Sequence, residues 1–300
     1  MWVRPTPGCT LFIYNPGSAM KDSSGKKNLI GIFDSGVGGL SVLREIHRLM
    51  SEAPIFYLAD QAHVPYGKRG LEEIRGLSFA ITRFLQDQGA RIIVVACNTA
   101  SAAALKELRE AFPETLFVGM EPAVKPASQH THNGVVGVLA TPATFQGRLY
   151  ATLVERFAQD VHILTDTLPG LVEEIEAGRL DSPETRRILE SAINPMVAAG
   201  ADTLVLGCTH FPFVMPLIQQ IAGPSVEVID PAPAIARRTE YLANEHAVRL
   251  DTASPTHLTF ATTGKADQFS HSIQDLLGIQ TQAVQLDWST ENTKIKLMRE

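Results

Sequence analysis

The chain is 300 residues long, 45% hydrophobic and 19% charged, a balance that buries a substantial core in one large domain or two ordinary ones and excludes a disordered chain. A formal net charge of −6 argues against a general binder of nucleic acid or of anionic membrane surfaces. No apolar run approaches the roughly 18–20 residues needed to cross a bilayer, and three cysteines, an odd number, fit reduced thiols better than a disulfide framework.

Residues 1–28 are rich in Pro, Gly, Ser and Lys, carry no periodic pattern and read as a flexible extension. Their only apolar run, Leu11 to Tyr14, is flanked by prolines and makes no signal peptide, so a cytoplasmic protein is expected. From Leu29 onward short apolar runs alternate with helical patterns. Strands are predicted at residues 30–33, 55–59, 92–96, 116–119, 135–139, 161–164, 204–206, 226–229 and 258–261. Between them apolar residues recur at helical spacing, as in Leu40, Leu43, Ile46 and Met50, or Leu71, Ile74, Leu77 and Ile81. Continuous apolar strands separated by amphipathic helices imply an α/β fold with mostly parallel sheets covered on both faces.

The chain also repeats itself. "GIFDSG" at Gly31 is answered by "GVLATPAT" at Gly137, and "FYLAD" ending at Asp60 by "HILTD" ending at Asp166, both 106 residues apart. "IVVACNT" sets Cys97 where "LVLGCTH" sets Cys208, and "FVGMEP" ends at Pro122 as "VEVIDP" ends at Pro231. Generic α/β monotony accounts for the strands but not for matched Asp, Cys and Pro at their ends. Two pseudo-symmetric three-layer lobes are therefore expected, with the active site in the cleft between them. Residues 29–121 plus 232–300 would form the first and 122–231 the second. The strand at 258–261 and a helix over 266–277 have no partner in the second lobe and should return to the first.

Ligands of parallel sheets bind beyond the carboxyl ends of the strands, where both Cys97 and Cys208 fall. Asn98 and Thr99 follow the first; Thr209 and His210 follow the second. A helix start after Cys97 favours its thiolate. One thiol at a strand end suggests a nucleophile. Two at equivalent places in facing lobes suit inversion of a carbon centre, in which a proton leaves one face and another arrives on the opposite face. The bland alternative is a pair of buried structural cysteines. Cys208 and His210 supply at most two metal ligands, and no CxxC or HExxH spacing supplies more, so no metal is expected. "GIFDSGVGGL" is neither a Walker loop nor a dinucleotide fingerprint; its exposed N–H groups suit an anion such as a carboxylate. Asp34 stands at the strand tip, placed either to serve a thiol or, with Ser35, to cap the helix.

These motifs, with "DQAHVPYGKRG", "VVACNTASAAAL", "GMEPAVKPA", "LVLGCTHFPF" and "VIDPAPAIA", resemble glutamate racemases of the aspartate/glutamate racemase superfamily, from about Ile30 to about Gly278. The resemblance implies Cys97 as the base acting on D-glutamate and Cys208 as the base acting on L-glutamate, with Asp34 assisting the first and His210 the second. Ser35, Pro65, Tyr66, Gly67, Asn98, Thr99 and Thr209 match substrate-lining positions, and Thr141 and Thr144 match the family's "GT..T" loop, here "ATPAT". Glu173, in "LPGLVEE", matches a family acid near the second cysteine, although Leu168 and Pro169 stand where the family usually has Cys-Pro. His63 lies within "AHVPYG", where satisfying the loop alone is the competing reading. The resemblance further implies no pyridoxal phosphate or metal, a homodimer, and D-glutamate supply for peptidoglycan. An aspartate or other amino-acid racemase of the superfamily, or a two-lobed binding protein without chemistry, are the alternatives.

Overall fold

The computed structural model describes residues 28–251, 257–291 and 293–297. The extension read at residues 1–28, and with it Cys9, falls almost wholly outside the described residues.

The first lobe opens with β1 (Leu29–Asp34), α1 (Leu40–Leu49), β2 (Ile55–Ala59), α2 (Leu71–Asp87), β3 (Ala90–Val95), α3 (Asn98–Ala111) and β4 (Leu116–Gly119). Every residue of β1 and β2 is buried, as continuous apolar strands flanked by helices require. The helices present one apolar stripe each: Leu40, Leu43 and Ile46 of α1, and Ile74, Leu77, Ile81 and Leu85 of α2, face the sheet. Glu72 and Glu73 occupy the first turn of α2, where acidic residues favour the helix dipole.

The second lobe runs α4 (Val124–His130), β5 (Val135–Ala140), α5 (Pro142–Gln146), α6 (Arg148–Phe157), β6 (His162–Asp166), α7 (Leu171–Glu176), α8 (Pro183–Ala198), β7 (Thr203–Gly207), α9 (Met215–Ala222) and β8 (Glu227–Ile229). Then come α10 (Ala232–Glu245), β9 (Leu258–Thr262), α11 (Ala266–Leu277), β10 (Val284–Trp288) and β11 (Ile295–Leu297).

The two sheets repeat one topology. The second has the order β6-β5-β7-β8, and the first contains β2-β1-β3-β4, its counterpart strand for strand. All of these neighbours are parallel. The first sheet is longer, because β9 pairs with β2, β10 with β9, and β11 runs antiparallel on β10. The fold is therefore two pseudo-symmetric α/β lobes with mostly parallel sheets. Their apolar contact is continuous: one core cluster contains Ile32, Val37 and Leu40 of the first lobe with Leu139, Leu206 and Phe211 of the second.

Sequence periodicity places nine of the eleven strands to within a residue or two. It does not find β10 and β11, at one end of the first sheet, where only Leu286 and Ile295 are buried and no continuous apolar run marks the strands. No helix among the described residues is long and apolar enough to cross a membrane.

Candidate active site

Cys97 leaves the end of β3 and caps α3 with extended backbone, so the chain turns sharply there and holds the side chain at the carboxyl edge of the first sheet. The thiol is 5% exposed. Its neighbour is Asp34, at the tip of the adjacent β1, whose carboxyl is close enough to act on the thiol. Oδ2 of Asp34 also accepts the Gly39 N–H at 2.6 Å, so the same carboxyl ties down the approach to α1. Burial raises the Cys97 pKa well above the ordinary thiol value, and the Asp34 charge raises it further. The Ala100 N–H at the start of α3 pulls the other way. The helix start thus acts in the expected direction and loses: desolvation of a buried thiolate beside a carboxylate outweighs one backbone donor. Asp34 is itself raised by burial, against the lowering effect of positive charge at His210 and of its hydrogen bonds. The Cys97–Asp34 pair holds on to its proton.

Cys208 ends β7 in the same topological place and is also a buried free thiol. Its surroundings differ. His210 Nδ1 lies 3.7 Å from Sγ of Cys208, and Nε2 on the far side of the ring lies 2.6 Å from Oε1 of Glu176. Burial opposes a charge on this imidazole, but hydrogen bonds and charges from Cys208 and Glu176 together outweigh it and hold His210 well above its ordinary pKa. Glu176 is pushed up by burial and pulled down further by His210, the Val37 N–H and Gln61, ending below its ordinary value. Cys208, His210 and Glu176 thus form a relay whose imidazole is favoured toward its cationic form beside the sulfur.

The glycine-rich turn between β1 and α1 joins the halves. Its N–H groups do bind carboxylates, but those of the protein: Val37 donates to Glu176 at 2.7 Å, and Gly39 to Asp34. Gly36 and Gly38 are required by close approach. A Cβ at Gly36 would fall inside the Glu176 carboxylate, and one at Gly38 would meet the His210 ring and the Thr209 hydroxyl. Ser41 Oγ donates to the Thr209 carbonyl at 2.9 Å, and Thr209 Oγ1 reaches Asp34 Oδ2 at 3.4 Å, so the second lobe's loop is fastened to the first lobe's acid.

Other expected lining residues gather nearby. Thr99, at the start of α3, meets Thr141 at 2.8 Å and Thr144 at 3.4 Å, a hydroxyl cluster that crosses from one lobe to the other. Gly67 presses against the Thr141 side chain, and buried Tyr66 sits beside it in a short 3₁₀ turn after Pro65. Ser35 Oγ contacts Asp34 Oδ1 at 3.5 Å. Asn98 is 2% exposed, and neither polar atom of its amide has a hydrogen-bond partner among the described residues. A buried amide costs free energy unless something pairs with it, so Asn98 is suited to an incoming polar group.

Glu173 requires a correction. Its side chain is 40% exposed and pairs with Lys68, whereas the acid at His210 is Glu176. Leu171 and Ile175 bury one side of α7. This orientation turns Glu176 toward the glycine turn, leaves Glu173 at the surface and gives Glu174 to Arg179 and Ser182. Three acids stand within "LVEEIE", and only a helical-face argument starting from Leu171 and Ile175 would have singled out the third. His63 does serve its loop: Nδ1 lies 3.0 Å from Asp60 Oδ2. Among the described residues no group of three His, Cys, Asp or Glu side chains is arranged to hold a metal ion.

The Asp/Glu/Hydantoin racemase family model matches residues 30–239. A glutamate racemase of Roseiflexus sp. (strain RS-1) is 48% identical over 259 residues, 86% of this chain and 94% of that protein. Among solved structures, glutamate racemase isoform RacE1 of Bacillus anthracis superposes with a TM-score of 0.78 at 31% identity, covering 87% of this chain and 98% of that one. Escherichia coli glutamate racemase, in complex with L-glutamate and the activator UDP-MurNAc-ala, gives 0.76 at 34% identity, with 85% and 97% covered. The match spans most of both chains and includes both cysteine-bearing strand ends, so this chain belongs to the Asp/Glu/Hydantoin racemase family.

Proposed function

We propose that the chain interconverts L- and D-glutamate by two-base proton transfer between Cys97 and Cys208, without a cofactor. One observation carries the reading: two buried thiols at equivalent strand ends of a duplicated lobe, one beside the Asp34 carboxyl, the other 3.7 Å from an imidazole that Glu176 holds from its far side. An inverting site needs an acid on one face of the carbon and a base on the other, and two facing thiols can exchange those roles. In the L-to-D direction, Cys208 sulfur takes the α-proton while the S–H of Cys97 gives its proton to the opposite face. The S–H formed on Cys208 and the negative charge left on Cys97 reverse the roles for the return. Asp34 orients the Cys97 proton; His210, held by Glu176, supports negative charge on Cys208. Asn98, the Thr99–Thr141–Thr144 hydroxyls, Thr209, Ser35 and the Pro65–Gly67 turn line the substrate.

Glutamate rather than aspartate is favoured by the glutamate racemases that match over most of their length. The reading carries with it D-glutamate supply for peptidoglycan, a homodimer, as the family resemblance implies, and a reducing, cytoplasmic location suited to free thiols. The pairing of β9 with β2 and the packing of α10 against α1 favour residues 29–121 with 232–300 as one domain and 122–231 as the other.

Racemisation assays with glutamate and aspartate, on wild type, Cys97→Ser and Cys208→Ser, test the proposal. Turnover of glutamate that either substitution abolishes is expected. Turnover of aspartate alone, or a serine variant with near wild-type rates in both directions, would overturn it.

A further inference from the structure

We infer that Trp288, in the C-terminal hairpin, is a positioning residue for the substrate-lining turn, acting through Asp60; the inference rests on the racemase reading of the site. Asp60 follows β2, is fully buried and collects donors from three separate segments. Tyr66 Oη donates to Oδ2 at 2.6 Å and His63 Nδ1 lies at 3.0 Å, both from the turn that lines the site. Thr263 Oγ1, just after β9, donates to Oδ1 at 2.7 Å, and Trp288 Nε1, from the end of β10, donates to the same oxygen at 2.7 Å. The Trp288 ring also meets His63 edge to face, with centroids 5.1 Å apart.

The connection runs on to the substrate pocket. Tyr66 and Gly67 are consecutive, Gly67 rests on Thr141, and Thr141 bonds Thr99, two residues from Cys97. The other end is anchored. Gln285 of β10 accepts from the Ala266 N–H at 2.9 Å and donates its amide to the Gly264 carbonyl, and β10 pairs with β9 at Ala261 and Thr262. Trp288 is therefore the tip of a braced strand, and its N–H sets where the Asp60 carboxylate stands. Asp60 in turn sets the Tyr66 hydroxyl and the turn carrying it.

A purely structural role would need only the ring, which phenylalanine largely supplies. The positioning role needs the N–H, because a carboxylate with one donor removed relaxes toward those remaining. Trp288→Phe separates the two. The turn binds substrate without touching the reacting carbon, so its displacement weakens ground-state and transition-state binding together. KM for both L- and D-glutamate should then rise about tenfold while kcat changes less than about threefold. Asp287→Ala, at the exposed neighbouring position on the same strand, should leave both constants at wild-type values. A spectroscopic readout is independent of turnover. Trp288 is one of two tryptophans in the chain, so in a Trp2→Phe background its emission should change on titration with D-glutamate, with half-saturation near KM.

Wild-type constants in Trp288→Phe would overturn the inference, as would a KM change that Asp287→Ala reproduces. Activity lost only in proportion to folded protein, measured by circular dichroism, or tryptophan emission indifferent to glutamate, would also overturn it. Absence of glutamate turnover in the wild type would instead overturn the racemase reading, so the two failures are distinguishable.

Discussion

The Cys97 and Cys208 halves of the site share a backbone and differ in charge. Both thiols stand at the end of the third strand of a repeated four-strand order, and both are buried. Beside Cys97 is a carboxyl whose own proton affinity is raised; beside Cys208 is an imidazole held toward its cationic form by Glu176. Duplication alone would yield two identical groups, both protonated or both charged, and neither arrangement starts a turnover. In the scheme proposed above, divergence of the neighbours is what turns geometric symmetry into a donor and an acceptor. The contrast lives in side chains of the repeat rather than its backbone, with Gly36 and Gly38 packed closely against Glu176, His210 and Thr209.

The harshest way to break the contrast is to remove a sulfur. Cys97→Ser and Cys208→Ser should each lower kcat by about 10³-fold or more in both directions, since the proposed scheme uses each thiol as base one way and acid the other. Next is the charge relay. Glu176→Gln leaves a buried imidazole without its anion and should cost about 10²-fold in kcat, most severely from L-glutamate, where negative charge on Cys208 matters first. Gly38→Ala places a methyl against His210 and Thr209. It should destabilise the fold by about 1–3 kcal/mol in urea unfolding and displace the same relay.

A gentler probe is pH. His210 has its pKa raised on folding through Cys208 and Glu176, so the stability it contributes is present in full below its ordinary unfolded value and is lost as pH rises through the raised folded value. Urea midpoints of wild type and His210→Gln should therefore differ most at neutral and mildly acidic pH and converge on the alkaline side. Convergence on the acid side instead would mean that the ring is held neutral. The smallest effect expected is Glu173→Gln, which removes only an exposed pair with Lys68 worth about 0–1 kcal/mol and should leave kcat within about twofold of wild type.

Much of this site is legible in the sequence. Apolar runs that end in Asp34, Cys97 and Cys208 reveal both the parallel strands and the groups at their tips, because strand ends and ligand positions coincide in such sheets. The internal repeat foretells the matched strand orders. What the chain hid depends on orientation and on distant pairing. Choosing Glu176 over Glu173 takes knowledge of how α7 is rotated, which the buried Leu171 and Ile175 decide. Asp60 looks like any strand-end acid until Trp288, 228 residues away, is seen to bond it. The direction of the Cys97 shift is hidden as well, because a helix start is visible in sequence while the depth of burial and the adjacent carboxyl are not.

Racemisation of unlabelled L-glutamate in deuterated water, stopped within the first few percent of conversion, tests the two-thiol scheme most directly. With a separate base on each face, the D-glutamate formed should carry deuterium at the α-carbon while the remaining L-glutamate is still protiated there. D-glutamate that retains the original α-hydrogen, or L-glutamate that exchanges as fast as product forms, would mean that one group serves both faces, and would contradict the division of labour between Cys97 and Cys208.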